Sequence, residues 1–356
     1  MTTGTEYFYF DIHNLVRMRI TTSHPCAYSI RHSYQPFEVE KLEECDLTLS
    51  ENTLLPSHHS DASTACKFAE GCVRMNARMV DVALRGQELF LCGKRDLLPF
   101  VGPLIHWQML QRGATTIHGA SVAVDGQGIL MPAWGGTGKT SAIVELLKLP
   151  GSAFMGDDFA IIRGDGMLLS YPKPFFVYPY HQDVFPHLFK HKPKLLVPAW
   201  MSGFTAVVRQ AVRPMLAAFP TLESLCRRLT PEHMQIPARQ ALPHADFLDS
   251  APVKLIVFLE RYNGSEPVID RLDPITARRR VVGNHYFELG AQAQELMTAC
   301  AATGLLGLED WFGEMARVVD RVFGRLPIYR LRLAPMKPQP TGKAIASAVN
   351  ELLGKM

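Results

Sequence analysis

The sequence has no apolar run near the roughly 18–20 residues that a membrane-spanning helix needs, so no membrane partner is expected. Its first eleven residues lack the basic stretch and following apolar run of a secretory signal, and a cytoplasmic location is the expectation. The seven cysteines (Cys26, Cys45, Cys66, Cys72, Cys92, Cys226 and Cys300) include no close CxxC pair. A disulfide framework or a zinc knuckle would need tighter, paired spacing, so free thiols are expected. Charge of one sign is also missing: 37 Lys and Arg stand against 34 Asp and Glu, a formal charge of +3. Nucleic-acid binders concentrate basic residues on a face, so no nucleic acid is expected as partner. Internal repeats and low-complexity tracts are absent as well.

What is present suits a sizeable core. With 356 residues and 47% hydrophobic composition, the chain predicts two closely packed domains or one large one, and a homo-oligomer is allowed. Residues 7–20 read as strand, 51–64 as an exposed loop, and strand-like pieces resume over 80–91. Residues 1–98 therefore form a small, mainly β lead-in domain, and 99–356 the remainder. A helix is predicted over 98–112, then strands at 116–124 and 128–132 separated by a turn at Asp125-Gly126. A Gly-rich turn, a helix over 139–147 and a short strand at 153–155 follow, ending at Gly156-Asp157-Asp158. This order is that of a phosphate-binding α/β domain. Residues 185–250 are proline-rich and basic, a variable segment and a candidate substrate region. Further on, 254–260 predicts a buried strand, 309–325 an amphipathic helix, 327–333 a strand, and Thr341 the cap of a last helix.

The string Ala133-Trp134-Gly135-Gly136-Thr137-Gly138-Lys139-Thr140, with Ser141 after it, carries the chemistry. Cradling a phosphate requires several inward-turned N–H groups, and Gly135, Gly136 and Gly138 leave no Cβ in the way. The helix starting at Lys139 directs its positive end at the same anion. Lys139 can reach the outer phosphates of ATP, and the Thr140 hydroxyl is placed to ligate Mg2+. Ala133 stands where the usual pattern has its first glycine, which predicts a differently shaped strand exit. After the loop helix, Asp157 and Asp158 offer a hard-oxygen metal ligand and a base for an attacking hydroxyl. Neighbours in an extended segment point to opposite sides; Asp157 is assigned to the metal and Asp158 to the base, an assignment that sequence alone leaves exchangeable. Trp134 either packs on a nucleotide or shields the strand exit.

Ile117-His118-Gly119, the GGTGKT string and Gly156-Asp157-Asp158 together resemble the HPr kinase/phosphorylase family, within the phosphoenolpyruvate-carboxykinase-like P-loop proteins. The resemblance is strongest to HPr-kinase-related proteins of bacterial biosynthetic clusters, some of which phosphorylate a precursor peptide on serine. It covers about 116–162 well and 254–335 more loosely, where Leu326-Pro327-Ile328-Tyr329-Arg330-Leu331 takes part. It implies a P-loop kinase core and places His118 near the phosphates or the paired aspartates. No long Gly-rich signature follows the aspartates, so the resemblance does not extend to HPr as substrate or to the reverse phosphorylase reaction.

The expected function is therefore ATP-dependent, Mg2+-assisted phosphorylation of a serine or similar hydroxyl on a peptide or protein. A small-molecule kinase and a nucleotide-sensing module without catalysis are the alternatives. Arg239, Arg261, Arg271 and Arg330 are candidates for a transition-state arginine. Arg278-Arg279-Arg280 and Lys190-His191-Lys192-Pro193-Lys194 read as solvated faces, and His58-His59 lacks the second ligand pair a metal site needs.

Overall fold

The computed structural model describes residues 6–55, 66–69, 71–190 and 233–355. His58, His59, residues 191–194 and Cys226 lie outside the described residues.

The first layer is an eight-stranded sheet built from residues 7–93, in the order Glu38–Val39, Tyr7–Ile12, Val16–Thr21, Leu47–Ser50, Glu88–Gly93, Val80–Arg85, Cys72–Met75, Cys66–Ala69. The single strand expected over 7–20 is a hairpin. His13 and Asn14 take φ of +56° and +57°, which reverses the chain, and Tyr7–Ile12 then pairs antiparallel with Val16–Thr21. Alternation of apolar and polar residues is the same on both arms, so the pattern alone does not reveal the turn.

The second sheet holds the site. Its path runs Asp246–Phe247, Ser152–Gly156, Ala114–Val124, Phe159–Arg163, Met167–Leu169, Ser250–Arg261, Ile328–Leu333, Val268–Arg271. Gln127–Pro132 pairs with both Ala114–Val124 and Ser250–Arg261. The predicted turn at Asp125-Gly126 has both residues at positive φ (+49° and +73°), the geometry that joins adjacent antiparallel strands most tightly. Ser152–Gly156 and Phe159–Arg163 run one after the other along the same partner, Ala114–Val124, with a register shift before Gly156. Asp157 and Asp158 are the break between them.

One apolar core fills the space between the two sheets. It runs from Phe10 and Met18 of the first sheet through Phe100 and Leu104 of the helix Leu98–Gln111 to Trp311 and Met315 of the helix Leu308–Phe323. A second cluster covers the far face of the second sheet, where the helices Lys139–Leu146 and Pro338–Leu353 pack. The last helix starts at Pro338, ahead of the predicted cap. Thr341 sits inside its first turn, fully buried, with its hydroxyl turned back to the carbonyls of Met336 and Lys337. Proline fixes φ near the helical value and has no N–H to leave unpaired, so Pro338 starts the helix without a side-chain cap.

The architecture is a mixed α/β fold. The six described cysteines are free thiols. Among the described residues no helix is long and apolar enough to cross a membrane.

Candidate active site

The strand Gln127–Pro132 leads directly into the loop. Ala133 is still extended, buried and bridged to Leu259, with its N–H on the His118 carbonyl. Left-handed backbone falls later, at Gly136 (φ +72°) and Gly138 (φ +103°). Alanine is therefore tolerated at the exit because that position asks nothing of it that only glycine supplies. The Thr137 hydroxyl closes the turn on the Trp134 carbonyl at 2.9 Å. Gly138 caps the helix Lys139–Leu146, which presents its unpaired N–H groups to the pocket. Trp134, 46% exposed, packs edge-on against Phe287 and does not line the pocket.

Opposite the loop, the two aspartates diverge, but not because the segment is extended. Asp158 sits at φ +70°, an unfavourable conformation that aspartate tolerates better than most side chains, and its carbonyl accepts from Gly119 N–H at 3.1 Å. The kink sends Asp157 to the loop helix, where its Oδ2 accepts from the Thr140 hydroxyl at 2.7 Å. Asp158 turns to the other side, its Oδ1 3.0 Å from His118 Nε2.

His118, buried at the centre of Ala114–Val124, links the two halves. Its Nε2 is also 3.1 Å from Lys139 Nζ, which donates to the carbonyls of Ala133 (3.3 Å) and Trp134 (3.2 Å). Asn284 Nδ2 lies 3.1 Å from His118 Nδ1 and 3.3 Å from the Ala133 carbonyl. Turning that amide over would set two acceptors against each other, so Nδ1 accepts and the proton of neutral His118 sits on Nε2, donated to Asp158. Glu288 stands 3.5 Å from Nδ1.

The electrostatics separate the two carboxyls. Burial pushes Asp157 up to about 6, with the Asp158 charge adding and the Thr140 hydrogen bond opposing. Burial also acts to raise Asp158, but the His118 hydrogen bond and the charges of Lys139 and Lys173 outweigh it, leaving its carboxyl below the usual range. Burial lowers Lys139, against the pull of Asp158, Asp157 and Glu288.

Gly135, Gly136, Gly138, Lys139, Thr140, Ser141, Asp157 and Asp158 thus line one pocket of about 510 Å³. His118 stands behind it, and Thr137 is buried within the loop itself. Of the four candidate arginines only Arg261 reaches this pocket, donating to the carbonyls of Ala334 (2.8 Å) and Gly136 (3.4 Å). Arg330 pairs with Asp270, Arg271 lies over Tyr329, and Arg239 lies over Phe247. Arg278 and Arg280 are ion-paired with Asp320 and Glu260. Sequence reasoning missed Asn284, Glu288 and the aromatic wall of Phe176, Tyr178, Tyr180 and His181, none of which carries a motif.

The donor set fits a hard divalent cation. Thr140 Oγ1 and Asp157 Oδ2 are adjacent oxygens facing the loop, and among the described residues the buried Asp157 carboxyl has no cationic hydrogen-bond partner. No group of three or more His, Cys, Asp or Glu that could hold a metal exists among the described residues. Magnesium needs none, because it is commonly held by one or two protein oxygens, water and substrate phosphates.

The fold and site define an α/β protein with a glycine-rich loop facing paired aspartates. No family model and no curated protein matches the chain. Among solved structures it is similar to the HPr(Ser) kinase/phosphatase from Coxiella burnetii, at 9% identity and a TM-score of 0.26, over 67% of this chain and 99% of that one. At that TM-score the likeness is too loose to bear on function.

Proposed function

We propose that this chain is an ATP-dependent, magnesium-assisted kinase that phosphorylates a serine or similar hydroxyl on a peptide or protein. The observation that carries the reading is one pocket with Lys139 and a helix N-terminus on one wall and Asp157 and Asp158 on the other. On the same grounds we assign the core to the phosphoenolpyruvate-carboxykinase-like P-loop kinases, with 1–98 as lead-in domain and 99–356 as kinase domain.

The loop amides and the helix N-terminus hold the outer phosphates. Lys139 exchanges its two loop carbonyls for phosphate oxygens, a favourable trade for a buried ammonium. Thr140 and Asp157 would hold the magnesium, which when bound would neutralise charge on the phosphates. Asp158 orients the acceptor hydroxyl and takes its proton as the oxygen bonds to the γ-phosphorus and the bond to the ADP oxygen breaks. His118 positions that carboxylate through its Nε2–H. Arg261 supports the loop from Gly136 and lies close enough to the pocket to share the phosphate charge.

The test uses a pool of serine-containing peptides with MgATP labelled on the γ-phosphate. Wild type should label peptide, and Asp158→Asn should lose labelling while binding MgATP as before. Full labelling by Asp158→Asn would remove the base role. MgATP binding without any phosphoryl transfer by wild type would reduce the site to a nucleotide sensor.

A further inference from the structure

A second cleft, of about 830 Å³, adjoins the phosphate pocket, and Pro174 lines both. Its lining joins the two layers: Asp11, His13 and His32 come from the N-terminal part of the chain, and Arg239, Phe247 and Asp249 from the part that carries the second sheet. Two strand edges meet there. Val39 belongs to Glu38–Val39, which ends the first sheet, and Phe247 to Asp246–Phe247, which ends the second; among the described residues neither strand has a partner on its outer side. An open edge offers N–H and C=O groups to any extended chain, and natural proteins usually cover or blunt it.

His13 and Asn14 keep left-handed backbone, a costly conformation that persists where its surroundings fix it. His13 Nε2 sits 2.6 Å from the Ser170 carbonyl, and its ring packs edge-on against Phe37 at 5.4 Å. Exposed Arg239, also lining the cleft, rests on the Phe247 ring and pairs with no carboxylate among the described residues. A lining that holds both carboxylates (Asp11, Asp249) and a guanidinium (Arg239) disfavours a polyanion and a purely apolar guest alike.

We propose that this cleft binds the acceptor as an extended peptide of mixed charge, added as a strand to the Asp246–Phe247 edge. That edge pairs directly with Ser152–Gly156, the strand that ends at Asp157 and Asp158. A chain lying on it is one strand away from the catalytic carboxylates and passes its hydroxyl around Pro174. Main-chain pairing supplies affinity, and the charged walls choose the flanking residues. The proposal rests on the kinase reading above.

The experiment resolves by sequence which members of the randomised serine-peptide pool are labelled from MgATP. Arg239→Glu and Asp249→Lys, both exposed substitutions, are compared with wild type. Each should raise KM for the best wild-type peptide roughly tenfold and invert the preferred charge at one flanking position. MgATP affinity should stay within about twofold, which also shows that the variants fold. Unchanged KM and unchanged charge preference in both variants overturn the proposal. So does a wild type that binds MgATP and labels no peptide, an outcome that leaves the nucleotide site intact. Failure to bind MgATP at all sinks the kinase reading first and this proposal with it.

Discussion

At the scale of single residues, Asp158 and Thr140 make the sharpest predictions. Asp158 occupies left-handed backbone, which asparagine tolerates and alanine tolerates less well. Asp158→Asn should therefore keep the local fold and lower peptide labelling by roughly a hundredfold or more, with the MgATP dissociation constant near that of wild type. Asp158→Ala should lose the same activity and also some thermal stability, which scanning calorimetry of the two variants separates. Thr140→Val removes one of the two oxygens proposed for magnesium; its affinity for ATP in excess magnesium should fall towards that of wild type in EDTA, and Thr140→Ser should restore most of it. Equal magnesium dependence in the valine variant would move the metal elsewhere. These residues were legible in the sequence because a phosphate cradle is local chemistry: consecutive small residues, one lysine and one hydroxyl at a helix start. Asn284 was not legible. It fixes the tautomer of His118 from 166 residues away, and only closure of the sheet against the helix Pro274–Glu288 brings the two together.

Between elements, the loop helix and the last helix fit with no spare room. A Cβ on Gly342 would lie 2.4 Å from the Ser141 carbonyl oxygen, and one on Gly138 2.5 Å from Thr341 Cγ2. Gly342→Ala should force the two helices apart, at a cost of about 1–3 kcal/mol in denaturant unfolding, and weaken MgATP binding because the loop helix carries the cradle. Gly138→Ala adds a left-handed φ of +103° to the same clash, so its loss of binding should be the larger. A variant of Gly342 with wild-type stability and affinity would contradict this packing account. The helix itself was predictable from its apolar spacing, whereas its start was not. Thr341 has the chemistry of a cap, but Pro338 begins the helix three residues earlier, and the threonine is spent on packing against the loop. The strand order was also hidden, because strands 114–124 and 250–261 exchange partners midway, and alternation records which face is buried without recording the neighbour.

Over the whole molecule, His106 and His285, both buried in the core between the sheets, tie stability to pH. Burial, with the neighbouring His285, holds His106 well below its usual range, and burial lowers His285 to about 4. His106 accepts from Trp311 Nε1 at 2.9 Å and lies 2.8 Å from the Thr115 hydroxyl, so its neutral form is satisfied. With folded values below the unfolded one, the unfolded chain binds more protons, and stability present above about pH 6.5 is lost as pH falls towards 4. For His285 alone that is about 2 kcal/mol between pH 7 and pH 5, measurable by urea unfolding, and His285→Leu should flatten the slope. An equal slope in that variant would assign the effect to other groups. Both layers share this core, so acid should loosen the first and the second sheet together.

The central claim is that the amides around Gly136 and Gly138, with Lys139, Thr140 and Asp157, grip the terminal phosphates of a magnesium-bound nucleotide. Titration calorimetry of the purified protein with ATP tests it most directly. The account predicts saturable binding that weakens when magnesium is chelated and that Lys139→Ala diminishes. A folded wild-type protein that takes up no ATP with magnesium present would contradict it.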